Sequence, residues 1–180
     1  MGASPADKHK KAKDFINRWC DRQKLVVEDV DWATASDPGL QCNCFGFAVG
    51  KPRWWQPPYL VNGILANPTD YWPAGIAQST TVWAYIDAAK TEGFVDAADG
   101  AWEDGWETIV LYYTPDDNEF KHAATQTSPG VWASKLGAWS DFEHPPDGID
   151  NVWYGSGRIF MKRPWPYHGP LHVAPATQDV

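Results

Sequence analysis

Hydrophobic residues recur at helical spacing in three stretches of the chain. The first runs from Ser4 to about Lys24 and has one apolar face. The second follows Asn43, whose side chain is suited to cap a helix, and stops at Gly50. The third runs from about residue 79 to residue 91 and stops at Gly93. The pattern therefore predicts three helices, of which the second is the shortest.

The second half of the chain is rich in β-branched and aromatic residues. The predicted strands are Phe94–Val95, Glu107–Tyr113, Phe120–Gln126, Val131–Leu136 and Arg158–Arg163. Turn residues separate consecutive strands at Thr114–Asn118 and Pro129–Gly130. The pattern predicts an antiparallel sheet of about four to six strands.

The segment between the second and third helices is predicted to be an irregular loop, from Pro52 to Pro73. It carries Trp54, Trp55 and Trp72, and it directly follows the short helix. We interpret it as the wall of a substrate cleft, or equally as a covering flap. The whole chain, 1–180, is predicted to be one domain with its core in about 25–163 and an extended tail in 164–180.

The composition excludes some partners. The net charge is -8, so a surface that neutralises nucleic-acid phosphates is not expected. The sequence has no apolar run of about 20 residues that would span a membrane. The start of the chain has no apolar core of a secretory signal, which favours a cytoplasmic protein or export by a route without a classical signal peptide.

The chain has three cysteines, an odd number that argues against a disulfide framework and predicts free thiols. Cys44 would be the first residue of the short helix, where the free amides and the helix dipole favour a thiolate. A cysteine in an apolar run is also often a small buried hydrophobic residue. Both interpretations of Cys44 stay open at this point.

His122 is the candidate base. It lies on the second strand of the predicted hairpin, where an imidazole within hydrogen-bond distance of the thiol would make a nucleophile. A single histidine on a strand is otherwise often a half-buried polar residue. It is the combination of His122 with Cys44 that favours a catalytic role for the two residues.

Motifs along residues 43 to 163 resemble an uncharacterised family of small bacterial and phage-like proteins. They are Asn43-Cys44-Phe45-x-x-Ala48-x-Gly50, His122-Ala123-Ala124-x-Gln126, Gly130-x-Trp132-x-Ser134-Lys135-Leu136-Gly137, Asp141-Phe142-Glu143-His144, Tyr154-Gly155 and Lys162-Arg163. The resemblance implies an α+β fold of the papain-like, NlpC/P60-like type, with N-terminal helices and an antiparallel sheet. It singles out Cys44 and His122, and it leaves four motif positions without an assigned role: Ser134, Lys135, Glu143 and His144.

The group that would orient the imidazole is open between two residues. Ser134 fits the topology that the resemblance implies, whereas Glu143 would be the stronger electrostatic partner. The oxyanion hole would come from the backbone N–H of Cys44, helped by Gln41 or Asn43.

The expected function is that of a cysteine enzyme which attacks an amide, isopeptide or acyl bond of a peptide, cell-wall or protein substrate, with no cofactor. Two alternatives remain. A zinc site could use Cys42, Cys44, His122 and His144, but the spacing of the two cysteines does not suit common zinc sites, and no metal is expected. An aromatic-rich module could bind a glycan or a peptide without catalysis, using some of the twelve tryptophans.

Overall fold

A computed structural model describes residues 10, 14, 42–51, 53–137, 141–150 and 153–165. Two α-helices lie wholly within these residues: α1, Cys44–Ala48, and α2, Val82–Lys90. The backbone of Lys10 and Asp14 is helical, and their side chains form an ion pair of 3.0 Å. The rest of the predicted first helix, and residues 166–180 of the predicted tail, lie outside the described residues.

The strands form two antiparallel sheets. They are β1 (Leu60–Val61), β2 (Ile64–Leu65), β3 (Val95–Ala97), β4 (Trp106–Thr114), β5 (Glu119–Ser128), β6 (Val131–Lys135), β7 (Asp141–His144) and β8 (Gly157–Pro164). Among the strands that the structure describes, the first two pair with each other, and the other six form one sheet in the order β3-β8-β4-β5-β6-β7. Four of the five predicted strands match β4, β5, β6 and β8, and the fifth, Phe94–Val95, overlaps β3 at Val95. The sequence pattern did not predict β7.

The predicted α+β, papain-like fold class is wrong. In the part of the chain that the structure describes, antiparallel strands dominate, and the two complete helices have only five and nine residues. The described domain is therefore mostly β, and the short helices pack on the six-stranded sheet and share its core.

The six-stranded sheet has an apolar cluster on each face. On the face that we call the helix face, residues from α1 and α2 pack against Ile109, Leu111, Ala123 and Met161. On the opposite face, which we call the histidine face, a second cluster forms around Val110, Tyr112, Ala124, Trp132, Phe142 and Ile149. Neighbouring residues of one strand contribute to different clusters because successive side chains project to opposite faces.

A buried arginine ties α1 to the sheet. The Nε of Arg163 donates a 2.5 Å hydrogen bond to Glu107, and both side chains are buried. Its two terminal nitrogens donate to the backbone carbonyls of Glu92 and Val49. Val49 is the C-cap of α1, so this guanidinium fixes the end of the helix against β8.

The predicted irregular loop contains a β-hairpin. Strands β1 and β2 pair Leu60 with Leu65 and Val61 with Ile64. The two residues between them, Asn62 and Gly63, have φ angles of 53° and 78°. Positive φ at both positions is typical of the type I′ turn that closes two-residue hairpins.

Candidate functional site

The start of α1 is built as predicted. Asn43 is the N-cap, its side-chain oxygen accepts a 3.0 Å hydrogen bond from the amide of Gly46, and Cys44 is the first helical residue. Gly50 has a φ of 68°, a conformation that suits glycine, and the helix has ended before it.

Asn43 holds the backbone of Trp55 rather than facing a cleft. Its amide nitrogen donates to the carbonyl of Trp55 at 2.6 Å, and its oxygen accepts from the Trp55 amide at 3.3 Å. The Trp55 side chain is fully buried against Phe45. The Asn43 side chain therefore joins the helix start to the following segment, a structural task that leaves its predicted role in an oxyanion hole unsupported.

The thiol of Cys44 is protonated at neutral pH. Burial raises its pKa to about 12, and the nearby backbone amides of Ala123, Phe45 and Cys44 itself lower it by a smaller amount. The helix start acts in the expected direction, but the loss of hydration on burial outweighs it. The predicted depressed pKa of this thiol is therefore not what the structure shows.

Cys44 and His122 lie on opposite faces of the sheet. Cys44 lies on the helix face, beside the backbone of Ala123, whose side chain packs in the helix-face cluster. His122 pairs with Tyr112 of β4, and its ring stacks on Tyr154 at a centroid distance of 4.1 Å, both on the histidine face. The predicted contact between the thiol and the imidazole is absent, because the sheet separates the two groups.

The structure instead brings Ser134 and His144 together. The Ser134 Oγ lies 2.6 Å from Nε2 of His144, and Nδ1 of His144 lies 2.7 Å from the carbonyl oxygen of Pro145. The carbonyl can only accept, so Nδ1 carries the proton and the Ser134 hydroxyl donates to Nε2. Burial lowers the pKa of His144 to about 4, which keeps this imidazole neutral.

His122 lies beside this pair. Burial, and then the proximity of His144, lower its pKa to about 3. Within the described part of the chain its Nε2 is buried and has no hydrogen-bond partner. Two adjacent neutral imidazoles and a hydroxyl thus form a small polar cluster within the apolar core of the histidine face.

The Ser134–His144 pair has the connectivity of a nucleophile and its base, but the setting does not suit that chemistry. Both side chains have no exposed surface, so a substrate has no access to them. A histidine with so low a pKa is also a weak proton acceptor near pH 7. The pair acts as a structural hydrogen bond between β6 and β7.

The remaining predicted site residues are dispersed. Glu143 is exposed and pairs with Ala133, which packs on the helix-face side with Cys42, so it does not orient His122. Lys135 pairs with Asp141, and both are buried. Gln41 lies outside the described residues.

Cys42 is buried on the helix-face side. Burial raises the pKa of its thiol, with a smaller lowering by Lys135 and a smaller raising by Asp141. Cys42 and Cys44 are both free thiols, as predicted. Cys20 lies outside the described residues.

The three predicted wall tryptophans contact neighbouring segments. Trp55 packs on Phe45 and Tyr71 in the helix-face core. The Trp72 ring contacts that of Tyr85, and its Nε1 donates to the carbonyl of Ala77. Trp54 donates to Gln56. Trp55 and Trp72 are thus packing residues, and their role in a cleft stays a prediction.

The hairpin is the most exposed apolar element that the structure describes. The exposed fractions are 47% for Tyr59, 68% for Leu60, 52% for Val61, 73% for Ile64 and 41% for Leu65. These residues were not predicted, because the whole segment from Pro52 to Pro73 was interpreted as irregular. The dipeptide Asn62-Gly63 between apolar residues was the signal that could have identified them.

The described residues, 10, 14, 42–51, 53–137, 141–150 and 153–165, contain no group of three or more His, Cys, Asp or Glu side chains placed to hold a metal ion. Of the helices in that part of the chain, none is long and apolar enough to cross a bilayer.

Comparison with known proteins identifies a family but no activity. A search of the curated proteins and a search of the solved structures found no match to the chain. A family of unknown function matches residues 34–162, which include α1, the hairpin and nearly all of the six-stranded sheet. The chain therefore belongs to the DUF7689 family, a domain of unknown function.

Proposed function

We propose that this domain is a non-catalytic interaction module that docks on another polypeptide through the hairpin Tyr59–Leu65. The observation that carries the proposal is the exposure of all four strand residues of the hairpin, each of them aliphatic. Single exposed hydrophobic residues are ordinary on protein surfaces, whereas contiguous ones mark interaction sites.

The base of the hairpin is anchored, which supports a role in presenting the apolar tip to a partner. The amide of Ala66 donates to the carbonyl of Tyr59, and the side chain of Asn67 bridges to the amide of Tyr59 and the carbonyl of Pro57. Below these bonds, Tyr71 packs on the fully buried Trp55. The apolar tip thus extends from a fixed base and loses little conformational entropy on binding.

The chemistry of the hairpin favours a polypeptide partner over a glycan. Glycan sites rely on aromatic platforms, whereas this tip has four aliphatic side chains and one tyrosine. Burying the exposed half of each side chain is worth about 1 kcal/mol, or about 5 kcal/mol for the five together. That amount suits the centre of an interface whose rim is supplied by the surrounding surface.

The cysteine-enzyme hypothesis receives no support from the site. Its nucleophile is protonated and its base lies on the other face of the sheet. The relationship to NlpC/P60 amidases remains a prediction from the motifs and supplies no part of this proposal.

Selection from a display library of protein fragments of the encoding organism tests the proposal. Clones selected on the wild-type domain are measured against Leu60→Asp/Ile64→Asp and against Trp83→Gln, which changes an exposed aromatic residue on α2. Circular dichroism must show that both variants stay folded. We expect at least a 100-fold loss of affinity for the hairpin variant and less than a threefold change for Trp83→Gln. A library without hairpin-dependent binders contradicts the proposal.

A further inference from the structure

We infer that the partner is a protein with a two-walled apolar groove, which contacts both faces of the hairpin Tyr59–Leu65 at once. The inference rests on the proposed function and adds the shape and chemistry of the partner site. It follows from the register of the hairpin and from the charges around it.

The register places apolar side chains on both faces of the hairpin. Leu60 is directly opposite Leu65 on one face, and Val61 is directly opposite Ile64 on the other. All four are exposed. A hairpin that docks flat needs one apolar face and leaves the other to water, where polar residues are the usual choice. Burial of both faces in a complex would explain why both faces carry apolar residues.

The shape of the tip fits entry into a groove. The connection is only Asn62-Gly63, and both residues have positive φ, so the turn adds little width to the two strands. Two paired strands with side chains on both faces are about 10 Å thick. A groove of about that width between two apolar walls would enclose the four aliphatic side chains.

The charges argue against a lipid bilayer as the occupant. No charged residue occurs between Arg53 and Asp70, and the whole chain has a net charge of -8. Surface-binding elements usually combine an apolar tip with basic residues that attract anionic lipid. The two basic residues nearest the hairpin in the sequence are already engaged: Lys51 pairs with Glu92 at 3.0 Å, and Arg53 lies over the ring of Tyr71.

A second copy of the chain is also a poor occupant. Two hairpins related by a two-fold axis would cover one face of each and leave the other face exposed. A groove on a different protein accounts for both faces.

Site-specific photo-crosslinking in the encoding organism tests the inference. The probe p-benzoylphenylalanine replaces Leu60, Val61, Ile64 or Leu65, one position at a time, with Asp116 in the exposed β4–β5 turn as the control position. We expect all four hairpin positions, and not the control, to give an adduct with the same polypeptide. Mass spectrometry should place the adducts of the Leu60/Leu65 face and those of the Val61/Ile64 face on two different segments of that polypeptide.

The other outcomes separate the two hypotheses. Adducts from one face only would overturn the groove and leave the proposed docking function standing. An adduct of twice the chain mass would identify a second copy, and lipid adducts would identify a bilayer; either overturns the inference. Adducts within one chain, or none above the control, would overturn both the groove and the proposed function.

Discussion

The Ser134 hydroxyl donates a hydrogen bond of 2.6 Å to Nε2 of His144 in the interior of the histidine face. The carbonyl of Pro145 accepts from Nδ1 of the same ring, so both ring nitrogens of His144 are satisfied. The pair links β6 to the edge strand β7 within an apolar layer. A buried hydrogen bond of this kind affects stability mainly because its loss leaves a buried polar atom without a partner.

Ser134→Ala is therefore expected to destabilise the domain by about 2 kcal/mol, because Nε2 of His144 would remain buried without a donor. Guanidinium unfolding followed by tryptophan fluorescence measures the change. Ser156→Ala is the matched control, since Ser156 is exposed, and it should change the free energy of unfolding by less than about 0.5 kcal/mol. Equal effects of the two substitutions would contradict the structural role of the pair.

The two buried imidazoles predict a loss of stability in mild acid. Their folded-state pKa values, about 3 for His122 and about 4 for His144, lie below the ordinary value of 6.5. The unfolded chain then binds more protons, so the stabilisation is complete above pH 6.5 and falls as the pH drops toward the folded-state values. From pH 7 to pH 5 each histidine should remove about 2 kcal/mol from the free energy of unfolding.

Unfolding measured at several pH values in His122→Gln checks this origin. The variant has one buried imidazole fewer. The decrease in its free energy of unfolding between pH 7 and pH 5 should therefore be smaller than that of the wild type by about 2 kcal/mol. The same dependence on pH in both proteins would show that His122 already titrates normally in the folded state.

The cysteines should resist alkylation while the domain is folded. Burial raises the pKa of both Cys42 and Cys44, and a value of about 12 for Cys44 leaves very little thiolate at pH 7. We expect iodoacetamide at pH 7 to label these two residues at least about 100-fold more slowly in the native protein than in 6 M guanidinium. Peptide mapping that finds rapid native labelling of Cys44 would instead restore the case for a reactive thiol.

Asn43→Ala should be among the more destabilising changes to a partly exposed polar residue. It removes the cap of α1 and both bonds to the backbone of Trp55. The expected cost is about 2 to 3 kcal/mol, above the value of about 1 kcal/mol for an ordinary cap. Asn43→Asp keeps the acceptor for the Gly46 amide but not the donor to Trp55, so its thermal unfolding midpoint should fall between those of Asn43→Ala and the wild type.

Gly46→Ala tests the close contact between α1 and the segment that follows it. A Cβ at this position would lie 2.2 Å from the carbonyl oxygen of Arg53, which is backbone and cannot rotate away. Alanine normally favours a helix over glycine by about 1 kcal/mol, but here we expect a net loss of about 2 kcal/mol or more. A higher thermal unfolding midpoint in this variant would show that the segment can move aside.

Local sequence signals accounted for much of the secondary structure. Asn43 and Gly50 marked the ends of α1, and β-branched and aromatic runs marked β4, β5, β6 and β8. The reason is that caps, stops and turns depend on the conformational preferences of a few adjacent residues. The hairpin carried such a signal as well, in Asn62-Gly63, although the prediction of an irregular loop overlooked it.

The tertiary structure alone decided the chemistry around Cys44 and His122. A shift of one residue in a strand moves a side chain to the other face. Because Ala123 packs on the helix face, the neighbouring His122 projects to the histidine face, where its ring stacks on Tyr154. The pKa of Cys44 likewise depends on how completely distant strands and helices exclude water from it, a property that no short stretch of sequence contains. The sequence by itself thus determined where the helix and strands begin and end, whereas packing determined which side chains meet and whether they can ionise.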